Sequence, residues 1–70
     1  MMHPTIGSIV KLLFASGESL YMTLTGTTSF RNGDLGFTGE YRYGGRKHAG
    51  AVELRRIRWN GKFFEANMSE

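Results

Sequence analysis

The chain has no cysteine, a single proline, two histidines and no apolar run long enough to cross a bilayer. Without cysteine no disulfide can brace a small fold, and thiolate metal sites are excluded. A reducing compartment suits such a chain, so a cytoplasmic location is expected. The longest apolar stretch, residues 9–15, is interrupted by Lys11, and the opening residues lack the cationic start of a secretory signal. No membrane association is expected. Histidine is too sparse for acid–base chemistry: His3 stands beside Pro4, and His48 lies in a glycine-rich stretch with only Glu40 and Glu53 nearby in sequence to orient it. Together with Asp34 and the scattered glutamates, the histidines show no metal-ligand spacing. The expectation is a protein that is not an enzyme and has no catalytic residues, no metal and no cofactor.

Seventy residues make one domain, residues 1–70, with 1–5 and 68–70 expected to fray. A chain this short buries only about 60% of the surface that its unfolded form exposes. With neither disulfide nor metal to help, association into a homo-oligomer is one route to a larger core.

What the sequence does have is ten glycines and many Thr, Tyr, Phe, Val and Ile residues, with no sustained 3.6-residue apolar period. That composition points to strands joined by tight turns. Asn32-Gly33 and Asn60-Gly61 suit two-residue hairpin turns. The first turn predicts Phe30 facing Leu35, Thr28 facing Phe37, Gly26 facing Gly39, Leu24 facing Tyr41 and Met22 facing Tyr43, all on one apolar side. Gly26 opposite Gly39 leaves a gap there, to be met by a sharp bend or by an aromatic ring from elsewhere. The second turn predicts Trp59 facing Lys62, Ile57 facing Phe64 and Arg58 facing Phe63, with an Arg56–Glu65 cross-strand ion pair. Because Val52 and Leu54 share one parity and Ile57 and Trp59 the other, a bulge is expected at Arg55-Arg56.

Near the start, "IGSIVKLLF" reads as a strand with Val10 and Leu12 inward and Lys11 outward. Ile9 and Leu13 make it apolar on both sides, as in a central strand or one covered by a partner. Five strands are expected, over residues 6–14, 20–30, 35–43, 51–59 and 62–68. The predicted fold class is all-β: a small five-stranded SH3-like barrel or a strongly coiled antiparallel meander. The SH3-like form is preferred to an OB-fold because the chain is short and has no helical segment.

The stretch "GSIVKLLFASGESLYMTLTG" and the later "HAGAVELR" carry a family resemblance. Gly7, Val10, Leu12, Ser16, Gly17, Met22 and Thr23, then Ala51, Val52, Glu53 and Leu54, make the chain similar to the YodC-like small bacterial proteins. The likeness covers about half the chain, and its positions are mostly strand and turn residues. The central Cys and Trp of that pattern are missing, and "RWNGKFFEANMSE" extends past its usual end. The resemblance implies a small barrel and names no reaction.

Charge is uneven. Of nine cations, seven (Arg42, Arg46, Lys47, Arg55, Arg56, Arg58 and Lys62) fall between residues 42 and 62 with Glu53 as the one acid, a net +6 against −3 for the rest. Such a segment attracts phosphate-rich partners. Glycines around Arg46, Lys47 and His48 permit an anion-holding loop at residues 44–50, although no Walker-type spacing follows it. Tyr21, Trp59 or Phe63 can stack on unpaired bases. The candidate nucleic-acid-binding residues are Arg42, Arg46, Lys47, His48, Arg55, Arg56, Arg58, Lys62, Trp59 and Phe63, and binding is expected to be indifferent to base sequence. The rival reading is a protein-interaction or assembly module, bacterial or phage, acting through an edge strand or a homo-oligomer interface.

Overall fold

The computed structural model describes residues 2–69 and shows an all-β chain. Six strands form along it: β1 (Ile9–Leu13), β2 (Ser19–Ser29), β3 (Leu35–Tyr43), β4 (Arg46–Glu53), β5 (Ile57–Trp59) and β6 (Phe64–Asn67). A single 3₁₀ turn, Leu54–Arg56, separates β4 from β5. All six make one sheet in the order β4-β3-β2-β1-β6-β5. β1 and β6 run parallel, so the sheet is mixed, unlike the coiled antiparallel meander that was one of the two expected forms.

The sixth strand comes from residues expected to be a basic connector. Only Gly44 and Gly45 form the loop there, and both have positive φ, +61° and +76°. That is the two-residue geometry whose twist matches the flanking strands. It lets Arg46 pair with Tyr43 and start β4 at once. The Asn32-Gly33 corner, expected to adopt that geometry, does not. Phe30 N–H donates to the Asp34 carbonyl (2.7 Å) and Gly33 N–H to the Phe30 carbonyl (2.9 Å), which closes a three-residue loop. Only Gly33 has positive φ, +88°, while Asn32 uses its side chain to accept from Asp34 N–H at 3.0 Å.

The longer loop moves the register. Leu24 faces Gly39 and Met22 faces Tyr41, and Thr25 is an extra residue between the Leu24 and Gly26 pairings. The Thr25 hydroxyl lies 3.2 Å from that of Thr38. This bulge reverses the parity of the outer half of β2, so Thr27 faces Phe37, and Thr28 and Phe30 leave the side on which they were expected. Leu24 is buried and Phe37 packs against the core, as the alternation required.

Gly39 and Gly50 stand side by side across from Leu24. Of the two outcomes expected for the glycine gap, a bend or an aromatic ring, the bulge beside Gly26 supplies a bend. The slot at Gly39 and Gly50 is filled by Met22, an unbranched thioether, with the Tyr41 ring bordering Gly50. A Cβ on Gly39 would lie 2.6 Å from Met22 Sδ, and one on Gly50 would lie 3.2 Å from Met22 Cε. Around this point Val10, Leu12, Leu24, Val52, Phe64 and Ala66 complete the buried core, flanked by Phe37, Tyr41, Ile57 and Met68.

The second hairpin turns one residue later than expected. Asn60 N–H donates to the Phe63 carbonyl at 3.1 Å, and the Asn60 side-chain oxygen accepts from the N–H groups of Lys62 and Phe63. Trp59 therefore faces Phe64, Ile57 faces Ala66 and Arg58 faces Glu65. The pairing slips by two positions, which preserves the faces: Phe64 and Ala66 are buried. The expected bulge at Arg55-Arg56 is instead the 3₁₀ turn.

Six strands laid flat would hold their outer members about 24 Å apart at ~4.8 Å per spacing. Here the outer members are β4 and β5, joined by three residues only. The sheet must coil until its edges approach. No ladder joins them among the described residues, so the sheet is not closed into a barrel, and the five-stranded count does not hold. Met68 N–H donates to the Leu13 carbonyl at 2.8 Å and Gly7 N–H to the Leu24 carbonyl at 2.8 Å, so backbone bonds continue past the strands toward both ends. Met1 and Glu70, within the segments expected to fray, lie outside the described residues.

Candidate nucleic-acid interface

Registers of five neighbouring strand pairs place one line of side chains across the whole sheet. Arg58 faces Glu65, Glu65 faces Lys11 and Lys11 faces Tyr21. Tyr21 precedes Met22, whose partner is Tyr41, so it stands beside Arg42, and Arg42 faces Lys47. Val10, Leu12 and Met22, the neighbours in sequence, are buried. Strand alternation therefore sends this line outward, onto the convex side.

The line holds four cations, one acid and one aromatic residue. Tyr21 is 61% exposed at its centre. Lys11 Nζ lies 5.6 Å from the centroid of the Phe63 ring, a cation–π contact that sets this aromatic residue beside the row. At the other end Lys47 pairs with Glu40 at 3.3 Å, both well exposed, an arrangement worth at most about 1 kcal/mol and easily exchanged for another anion. Tyr21, Thr23, Glu40, Arg42 and Lys47 border a shallow depression of ≈ 460 Å³.

The remaining candidates lie elsewhere. Arg46 and His48 alternate to the other side of β4 from Lys47. The His48 ring stacks on Tyr41 at 5.4 Å and 19°, and its Nε2 lies 3.2 Å from the Tyr43 carbonyl oxygen. Residues 46–50 are committed to the β3–β4 ladder, which leaves Gly44 and Gly45 as the only loop there for an anion. Trp59 packs edge-on against Phe64 at 5.0 Å and remains 39% exposed, on the opposite side of β5 from Arg58. Lys62 sits at the tip of the last hairpin.

Arg55 and Arg56 have a structural task. Arg55 Nε donates to Glu53 Oε2 at 2.9 Å and lies 3.4 Å from Asp34 Oδ2. Arg56 Nε donates to Glu53 Oε1 at 3.3 Å, and its Nη1 donates to the Asn67 carbonyl at 3.0 Å. The expected Arg56–Glu65 pair is replaced by these bonds. They tie the 3₁₀ turn to the β2–β3 loop on one side and to β6 on the other, where the two sheet edges converge.

The Arg55 hydrogen bond, more than that of Arg56, holds the Glu53 carboxyl below the usual carboxylate range, against the opposing effect of partial burial. A lowered folded-state pKa adds stability above the unfolded value, about 4.3 for Glu, and that stability is lost as pH falls through the folded value. Glu53→Gln is therefore expected to lower the urea midpoint at pH 7, and the gap to the unaltered chain should narrow at pH 3. A gap that stays constant with pH would show that the ionised carboxylate is not what fastens the turn.

Lys11 is the site residue that sequence reasoning left out of the candidate set. Its outward direction was legible, but its position in line with Arg42 and Lys47 depends on β1 lying in the middle of the sheet. Among the described residues no group of His, Cys, Asp or Glu could hold a metal ion, and no helix is long and apolar enough to cross a membrane. In comparisons with known proteins, no family model, curated protein or solved structure matches the chain.

Proposed function

We propose that this chain is a small β-sheet module that binds single-stranded nucleic acid with little regard to base sequence. The observation that carries the reading is the single outward line of Lys11, Arg42, Lys47 and Arg58 with exposed Tyr21 at its centre. Cations in a row track a phosphate backbone, and an aromatic face among them stacks on bases of any identity. No α-helix is present among the described residues to enter a major groove, which favours sequence-tolerant contact. Lys62, at the tip of the last hairpin, adds a cation beyond the strands, while Arg46 and His48 lie on the opposite side of β4 and take no part in the row. A cysteine-free chain of this kind suits the cytoplasm.

We read the finer architecture as SH3-like. Its support is the order β1 to β4 in antiparallel succession, followed by the turn at Leu54–Arg56 that carries the chain to the opposite edge. β6, inserted between β5 and β1, is the departure. The YodC-like resemblance belongs to the same reading, since its positions run from Gly7, just before β1, through β1, the turn after it and β2, and then from the end of β4 to Leu54 in the 3₁₀ turn.

Fluorescence anisotropy of a labelled oligothymidylate tests the function. If four phosphates are neutralised, log K should fall with log salt at a slope near −2.8, so that affinity drops about 50-fold between 50 and 200 mM salt. Arg42→Ala combined with Lys47→Ala should reduce the slope by about 1.4. Arg58→Glu should weaken retention while the thermal midpoint stays nearly unchanged. Absence of binding at low salt, or a slope insensitive to these substitutions, would refute the proposal.

A further inference from the structure

β4 is the longer of the two sheet edges, and no strand among the described residues covers its outer side. It runs eight residues with an unbroken register against β3, without proline or bulge, whereas the other edge, β5, is three residues long. An edge of that length and regularity, with unpaired backbone groups, is a template for another strand.

We propose that the occupant of this edge is a second copy of the same chain, its β4 antiparallel to the first about a two-fold axis at Gly50. The argument is charge and register. Val52 is buried, so Lys47, Ala49, Ala51 and Glu53 share the outward face. A pairing that continues one outward face into the other must set odd residues opposite odd residues. Centred on Gly50, it places Lys47 opposite Glu53 of the second copy, twice by symmetry, and Ala49 opposite Ala51. Shifted so that Ala51 lies on the axis, it sets Lys47 opposite Arg55, a like-charge contact. Shifted so that Ala49 lies on the axis, it sets Lys47 opposite Ala51 and loses the ion pairs. Opposite charges directly across a ladder stabilise it and like charges destabilise it.

Small residues at 49–51 add no steric obstacle to the approach. Lys47 would then stand between Glu40 of its own chain, which it already contacts at 3.3 Å, and the Glu53 carboxylate of the copy, which also accepts from that copy's Arg55 and Arg56. The two-fold isologous geometry closes after two chains, so the edge is consumed without growth into a fibre. The result is one continuous sheet through both copies, in which two basic rows share one convex side. The pairing needs no nucleic acid and is tested without it.

The absence of cysteine makes the test direct, because an introduced thiol is the only one present. Ala49→Cys and Ala51→Cys variants are mixed and oxidised under mild conditions. In the Gly50-centred register the unlike thiols are directly opposite, with Cβ atoms about 5 Å apart, whereas like thiols lie on the diagonal at roughly 7–8 Å. The mixed disulfide should therefore outweigh either homodimer. Sedimentation of the unaltered chain should show the 7.9 kDa mass doubling between low micromolar and near-millimolar concentration. Ala49→Lys with Ala51→Lys should abolish that doubling and leave the thermal melt unchanged, since both positions are exposed. A chain that stays monomeric at near-millimolar concentration overturns the proposal. So does an Ala51→Cys variant that links to itself as readily as to the Ala49→Cys variant.

Discussion

Gly36→Ala is expected to destabilise the chain by about 3 kcal/mol, the upper end of what overpacking a tight site costs. Gly36 lies in the middle of three strands, opposite Thr28 of β2 and Glu53 of β4. A methyl group there would fall well inside van der Waals contact of the Val52 carbonyl oxygen and the Phe30 ring, and 3.1 Å from Glu53 Cα. The ring could move, but the Val52 and Glu53 backbones are held by the β3–β4 ladder and by the Arg55 and Arg56 bonds to Glu53. A 70-residue chain has a total stability of roughly 3.5–10 kcal/mol, so about 30% or more of it is at stake. With a urea dependence of about 1 kcal/mol per molar, the midpoint should fall by roughly 3 M. Gly50→Ala is the matched control: its methyl would meet the ends of Met22 and Tyr41 at 3.2 Å, side chains able to shift. It is expected to cost less than ~1 kcal/mol. Equal losses at the two glycines would show that strand packing at Gly36 is looser than its neighbours indicate.

The strands were legible because their alternation survives most local errors. Val10 and Leu12, Met22 and Leu24, Phe64 and Ala66 all face the core as the two-residue period required. The turns were less legible. Asn-Gly is compatible with both two-residue and three-residue loops, and which one forms depends on the twist and pairing of the strands it joins. At Asn32 the side chain satisfies the Asp34 amide and stabilises the longer loop. The bulge at Thr25 then absorbs the altered register; Gly26 marked this place for a bend, but nothing in "TLTGTTS" says that an extra residue is inserted there.

Most of β4, residues 46–50, was missed for a different reason, while its end fell within the strand expected over 51–59. "GGRKHAGA" has almost no large apolar residue, so periodicity had nothing to count. Its strand conformation comes from pairing with β3, where Gly50 and Gly39 leave room for Met22 and His48 stacks on Tyr41. The site was legible only in part for the same cause. Cations of one sequence segment were grouped by proximity along the chain, whereas the sheet groups residues by register. Arg42, Lys47 and Arg58 fall in line with Lys11, while Arg55 and Arg56 are held by Glu53 at the seam.

Phe64→Ala is the second large effect, an expected loss of about 3–4 kcal/mol for a ring removed from a core position. Phe64 is 8% exposed, faces Val10 on one side and Trp59 on the other, and meets the indole edge-on at 5.0 Å. β6 is the link between β1 and β5, so a cavity at Phe64 loosens the attachment of the last hairpin to the sheet as well as the core itself. Trp59 is the only tryptophan in the chain, and its fluorescence reports that attachment directly. Because Val10 belongs to the same buried cluster, the weakening is expected to be shared by all six strands. Tryptophan fluorescence and far-ultraviolet dichroism should then fall together, at a common lower temperature. Arg58→Glu provides the contrast on the outward face of the same hairpin. It sets like charges opposite Glu65, a cost of only ~0.2–1 kcal/mol, and leaves the core unaltered. If Phe64→Ala instead released the tryptophan signal while the dichroism transition stayed in place, the last hairpin would be an independently unfolding appendage. The outward row would then end at Lys11, with Arg58 no longer held in line with it.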